Sequence, residues 1–351
     1  MDSTAVLRPE AVITKKKNYG YSIIRFLGAL LIFVAHTVSV FGHAVLNDML
    51  GPFTVVFLML SGYLYSGKDL SVPESRPGFV VKNFLKILID YYLVALLVFI
   101  PAYCLVKPEM ITGTNLKNLI FCRGGWNGIH HLWYIPHCLF GYLIIPMLYD
   151  AKAFAKKKNR LISVILGLLL LTEIILRVFQ DALVAGTFFT FIFGYFRPEI
   201  EKKKLDNKFL AVSLPLSLIV RGVTLWVKHY GAPSGAVVLT GRVYYLFVFV
   251  FDFAFNLFGI CLFMLIKKLF TNIKVGKTLE RFLDLSDRYA YDFFLVHMIF
   301  VIGCLSVLGK LGNTALEVLL SFVISLAAAV VIGKLRELVS KPIFKFYNRY
   351  F

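Results

Sequence analysis

The sequence predicts an all-α, polytopic integral membrane protein of about ten transmembrane helices with both termini cytoplasmic. Three observations predict it. The 351 residues are 59% hydrophobic with a mean hydropathy of +0.77, well above the apolar share of a soluble domain. Several apolar runs approach the roughly 20 residues that cross a bilayer as a helix, and they are continuous rather than alternating as in a membrane β-barrel. Finally, Lys and Arg cluster in alternate loops. With ten spans, 29 of the 38 fall in segments placed inside and 7 in external loops, as the positive-inside rule requires. That placement also accounts for the net charge of +18 without a nucleic-acid partner.

Residues 1–20 form a polar cytoplasmic segment that closes on Lys15, Lys16 and Lys17. The apolar run that follows has no convincing small-residue cleavage site, so it is expected to stay as a helix. The predicted spans are 21–42, 51–66, 84–106, 131–149, 160–179, 183–197, 208–228, 241–266, 290–309 and 314–334. They make a transmembrane domain over 21–334, followed by a basic cytoplasmic tail over 335–351. Spans 51–66 and 183–197 are short, which leaves tilt or re-entry open. Cys104, Cys122, Cys138, Cys261 and Cys304 are scattered with no CxxC pair, so neither a disulfide framework nor a metal site is expected.

The first span, Tyr21 to Phe41, carries Arg25 and His36. They are eleven residues apart, which is roughly 20° around a helix and about 16 Å along it. One helix face thus offers a fixed cation near its start and an imidazole deeper in. An ionisable residue at membrane depth must face protein or water, so each is a functional candidate. Asp90, Glu173, Arg221, Asp252 and His297 also fall within spans. Each has a plainer alternative. Glu173 pairs with Arg177 at i, i+4; Arg221 snorkels outward; Asp90 partners Arg25 or Lys86. Asp252 pairs structurally near Asn256, and His297 is a hydrogen-bonded packing residue. Lys82 and Lys86 share one helical face, either as a headgroup anchor or as a ledge for an anionic ligand. Glycines and aromatics around His130, His131 and His137 suggest a binding mouth. An HH pair lacking a third ligand at defined spacing argues against metal.

Four motifs occur in order over most of the chain: Arg25-x10-His36, LMLSGYL (Leu58–Leu64), HLWYIPH (His131–His137) and YAYDFFLVH (Tyr289–His297). Together they resemble the membrane acyltransferase-3 family. The chain departs from that pattern after the second span, where Lys82, Lys86 and Asp90 stand in place of an RxxR-I-x-P-like run. Neither the esterase-like nor the racemase domain that some relatives carry is expected. The resemblance implies a multi-pass protein of the cell (inner) membrane that transfers an acyl group, commonly acetyl, from cytoplasmic acyl-CoA to an acceptor handled at or beyond the outer face. Acceptors of that kind are mostly hydroxyls of a surface glycan or glycolipid. Arg25, Lys82 and Lys86 are then expected at the CoA phosphates, since guanidinium and ammonium groups suit them. His36 is expected at the thioester, as a general base or as an acyl carrier. Asp252, Glu173 or His297 would orient its imidazole, and Trp133, Tyr134 and His131 would meet a sugar ring. The same buried charges also fit a multi-pass transporter without covalent chemistry, although no inverted repeat of interrupted helices is visible.

Overall fold

The computed structural model describes residues 17–350 apart from 124–128, 159, 162, 166, 169–170, 172–186, 203–205 and 272. The expectations for Glu173 and Arg177, and part of those for spans 160–179 and 183–197, therefore lie outside the described residues. Everything regular among the described residues is helical. The helices are α1 (Tyr19–Val40), α2 (Ala44–Leu50), α3 (Phe53–Tyr65), α4 (Ser75–Val94), α5 (Ile100–Val106), α6 (Gly113–Ile120), α7 (Tyr134–Lys158), α8 (Thr187–Lys202), α9 (Asp206–Trp226), α10 (Gly241–Phe270), α11 (Lys277–Val301) and α12 (Thr314–Tyr350).

Among the described residues, seven stretches are long and apolar enough to cross a membrane. They are 19–40, 44–65, 75–106, 130–158, 206–231, 241–270 and 314–349. The count of ten and the placement of the termini are not established by them. One difference has a clear cause. The span expected at 290–309 belongs to α11, whose first half carries Glu280, Arg281, Asp284, Asp287 and Arg288. Its apolar second half is buried inside the bundle rather than turned to lipid. The helix stops at Val301. The loop beyond is held by Glu317, whose carboxylate accepts backbone N–H groups from Gly309 at 2.7 Å and Gly312 at 3.1 Å. Each of those donors would otherwise compete for water.

Local sequence explains where α1 begins. Asn18 caps it, its side-chain oxygen accepting the N–H of Gly20 at 3.0 Å, which satisfies one of the donors a helix start leaves free. α1 and α11 then run side by side in the same direction. Phe26 meets Phe282, Phe33 meets Phe293, and His36 meets His297, in the same order along both helices. α3 runs antiparallel to α1, with Tyr21 against Tyr63 and the bare face of Gly28 against Phe57. α3 and α8 cross most closely where Gly62 faces the backbone of Phe191. A side chain at 62 would run into that backbone, which is a packing reason for the glycine of LMLSGYL.

The segment expected as a basic tail is helical and docked. α12 continues unbroken to Tyr350, and the Tyr347 hydroxyl donates to the Gly78 carbonyl at 2.6 Å. Two further expectations are corrected. Asp90 pairs with neither Arg25 nor Lys86 but with Arg336 of α12, at 3.2 Å. Arg336 also bridges Asp292 of α11 at 3.0 Å. Arg221 does not snorkel outward. It is 1% exposed, its guanidinium lies over Phe251 and Phe255, and it donates to the Asp48 carbonyl at 2.5 Å.

Candidate functional site

The parallel pairing of α1 with α11 brings together residues that the sequence separates by more than 260 positions. At the N-terminal ends, Arg25 Nη1 donates to Asp287 Oδ1 at 2.9 Å, and the Ser22 hydroxyl donates to Asp287 Oδ2 at 2.6 Å. Lys17 closes the group, 2.8 Å from Asp287 and 2.6 Å from Asp284. Asp287 lies on the polar first turns of α11. Burial works against its ionised form, but Arg25, Lys17 and Ser22 outweigh that and hold its carboxyl below the usual range. The Arg25 side chain keeps 32% of its surface exposed, so its remaining donors stay available.

Arg25 and Asp287 line one end of a cavity of about 270 Å³ between α1, α3, α4, α7 and α11. Seven residues along each parallel helix, Ile32 and Phe294 line its other end together with Tyr134. At the rise of an α-helix that distance is about 10 Å. A second cavity of about 400 Å³ adjoins it, and the two share Tyr65, Ile87, Tyr142 and Tyr291 as walls. Lys86, Asn83, Asp90, Arg336 and Ser340 line the second one. Lys86 is exposed, as is Lys82 one turn earlier on α4.

Three histidines sit one helical turn beyond the end of the first cavity, each following or preceding a lining residue. His36 comes four residues after Ile32, His297 three after Phe294, and His131 three before Tyr134. They converge. The His36 ring stacks on His297 with centroids 5.5 Å apart and planes at 28°, and His131 meets His297 edge-on at 5.1 Å. The exposed His130 touches His36 edge-on at 6.2 Å. His131 and His297 are buried, while His36 is half-buried between them and His130.

Backbone carbonyls assign the tautomers. His297 Nδ1 lies 2.8 Å from the Phe294 oxygen and 3.2 Å from that of Phe293. A carbonyl only accepts, so Nδ1 carries the proton and Nε2 keeps a lone pair. By the same argument His131 Nε2, 3.2 Å from the Leu295 oxygen, carries its proton and Nδ1 keeps a lone pair. Both lone-pair nitrogens are buried without a hydrogen-bond partner among the described residues. Such atoms are costly unless something donates to them. The site can therefore accept protons or hydroxyl hydrogens at the head of a largely apolar slot.

Of the residues singled out from the sequence, His36, His297 and His131 are brought together here. Arg25 and Tyr134 line the connecting cavity. Trp133 packs edge-on against His137 at 5.0 Å, one step away from the cluster. Asp252 is placed elsewhere, on α10 within electrostatic reach of Arg221. Sequence reasoning missed Asp287, Asp292 and Arg336. Asp292 lies inside the YAYDFFLVH motif and Asp287 two residues before it, and a carboxylate within that otherwise apolar motif is the signal that was present. Arg336 gave none, because its segment read as a basic cytoplasmic tail.

Comparison with known proteins agrees with the architecture. A family model described as an acyltransferase domain matches residues 18–334. A serine/alanine racemase of Enterococcus gallinarum is 30% identical over 151 residues, covering 40% of this chain and 21% of the relative. An amino-acid racemase of Enterococcus faecalis is 27% identical over 156 residues, with the same coverage. The chain thus spans about a fifth of the length of the curated relatives it matches. No solved structure matches it.

Proposed function

The chain belongs to the membrane acyltransferase-3 family, and from that premise we propose that it transfers an acyl group, acetyl in the first instance, from cytoplasmic acyl-CoA to a hydroxyl of a surface glycan or glycolipid. The racemase activity named for the two enterococcal relatives belongs to proteins of which the match is about a fifth, and it is not carried over. One observation supports the reading above the others: three imidazoles converge one turn beyond a cavity whose opposite end holds Arg25.

The donor chemistry fits that shape. CoA is a polyanion at one end and a thin, mostly apolar arm at the other. Lys82, Lys86 and Arg25 hold the phosphates near the mouths of the two adjoining cavities, and the guanidinium offers a planar fork for them. The arm runs through the cavity between α1 and α3, past Phe57 and Ile32, and the thioester stops beneath the histidines. The acceptor arrives from the opposite, outer side, where His130 is exposed. As its hydroxyl oxygen attacks the thioester carbonyl carbon, the hydroxyl proton passes to the His36 imidazole. The C–S bond then breaks, and the departing thiolate takes up the proton. His297 and His131 accept hydrogen bonds that hold the reacting groups in place.

The test is reconstitution of the full chain in proteoliposomes with acetyl-CoA on the cytoplasmic side and envelope glycans as acceptors. A gain of one acetyl unit in glycan mass is expected. Unmodified glycan crossing the membrane, with acetyl-CoA untouched, would instead mark a carrier.

A further inference from the structure

We infer that His130 is a positioning residue for the transfer: it accepts the N–H of His36 and so fixes which nitrogen of that imidazole takes the acceptor's proton. The inference rests on the acyl-transfer reading above, in which His36 is the base. A neutral imidazole that acts as a base offers one lone pair and carries a proton on its other nitrogen. That proton needs an acceptor to hold the ring in the useful tautomer. The backbone supplies one for two of the converging rings, the Leu295 carbonyl for His131 and the Phe294 carbonyl for His297. Among the described residues, His36 has His297 and His130 as ring neighbours but no carbonyl or carboxylate partner. His297 is stacked on it at 28°. Imidazole lone pairs lie in the ring plane, so the stack gives His36 a face and not an acceptor. His130 meets it with planes at 89°, so that one ring turns its edge to the other. That is the contact from which an N–H···N bond can form.

Local structure holds His130 where this role needs it. His130–Trp133 is a 3-10 turn, in which consecutive side chains diverge by about 120°. The turn sends His131 into the core and leaves His130 exposed. Ile129, His131 and Leu132 are all buried, so the backbone at His130 is pinned while its side chain is free to swing. Two imidazoles joined by an N–H···N bond of about 3 Å have centroids roughly 5 Å apart. The His36 and His130 centroids are 6.2 Å apart. A small rotation of the exposed side chain closes that gap, and catalytic hydrogen bonds commonly tighten once substrate is in place. As the acceptor oxygen attacks the thioester carbon, its proton passes to the free nitrogen of His36. The positive charge that forms is shared with His130 through the N–H···N bond. The C–S bond then breaks and the thiolate takes the proton from His36, so His130 neither gains nor loses one.

The experiment is acetyl transfer by the full chain in proteoliposomes, with acetyl-CoA and envelope glycans, for wild type, His130→Ala and His130→Gln. His130→Ala should lower kcat about 10- to 100-fold, the worth of one hydrogen bond to a charged group. The KM for acetyl-CoA and the unfolding temperature should stay near wild type. Free imidazole should restore most of the loss, because the position is open to solvent. His130→Gln keeps an acceptor on the side chain and should recover part of it. An unchanged kcat would overturn the inference. So would a loss confined to the acetyl-CoA KM, or one that neither imidazole nor the glutamine variant repairs. A second measurement needs no acceptor. Nitrogen NMR of the histidine-labelled chain, with His36 assigned from His36→Ala, should show one tautomer of His36 in wild type and an average of two in His130→Ala, with His131 unmoved. A His36 tautomer that is the same in both proteins would overturn the inference whether or not transfer is seen. Transfer absent from wild type while the tautomer does change would keep the imidazole pair and overturn the acyl-transfer reading on which its role rests.

Discussion

Arg25 shows how a single side chain can serve two ends. Its position on the His36 stripe follows from helix geometry, and that much is visible in the sequence. Its partner is not, because Asp287 lies 262 residues away and only the parallel packing of α1 on α11 joins them. The pair is partly exposed, so its contribution to stability is modest. A double-mutant cycle of Arg25→Ala with Asp287→Ala, read by thermal unfolding in detergent, should give a coupling of about 1 kcal/mol or less. Arg25→Lys should keep the ion pair but lose the planar fork. Its unfolding temperature should stay near wild type while acyl-CoA binding weakens about tenfold, the loss of one charge-assisted contact. Unchanged binding in that variant would make Arg25 a purely structural residue. The histidines divide in the same way. His36 is marked by its spacing from Arg25 and His297 by its motif. Their stacking, and the carbonyl contacts that fix the tautomers of His131 and His297, depend on backbone positions that no local pattern encodes.

Helix α12 carries the least expected part of the molecule. Its apolar first half reads directly as a span. Its basic second half looks like a solvated tail, yet it packs on α4 and places Arg336 between two buried carboxylates, Asp90 and Asp292. Asp292 is fully buried and Asp90 is 3% exposed. Local propensity could not reveal this, because a run of Lys and Arg looks the same whether it faces water or lines a cavity. Removing Arg336 leaves two carboxylates facing each other out of water. Arg336→Ala should therefore destabilise the protein by about 3–5 kcal/mol. Arg336→Lys, which keeps the charge, should recover part of that loss. Thermal unfolding in detergent decides it, and a drop within error of zero for Arg336→Ala would contradict the buried triad. The glycine of LMLSGYL is the opposite case. It is plain in the sequence, but its reason, the close crossing of α3 and α8, appears only in the fold.

At the scale of the whole molecule, composition and charge alternation make the helical membrane class legible before any contact is known. They do so because a bilayer imposes length and polarity on every span, independently of tertiary packing. What they do not reveal is which helices face lipid. α11 is as apolar in its second half as several spans, yet it is enclosed by the bundle and brings its histidine to the centre. The resulting layout has a polyanion-compatible end at Arg25, Lys82 and Lys86, a narrow slot beside α1, and a head of imidazoles. That layout is what the proposed transfer from acyl-CoA calls for. The most direct measurement is acyl-CoA turnover by purified His36→Ala with acceptor present, beside wild type. Loss of transfer by about 10²- to 10⁴-fold, the usual worth of a positioned general base, with an unchanged unfolding temperature, is expected. Wild-type turnover in a well-folded His36→Ala protein would contradict it.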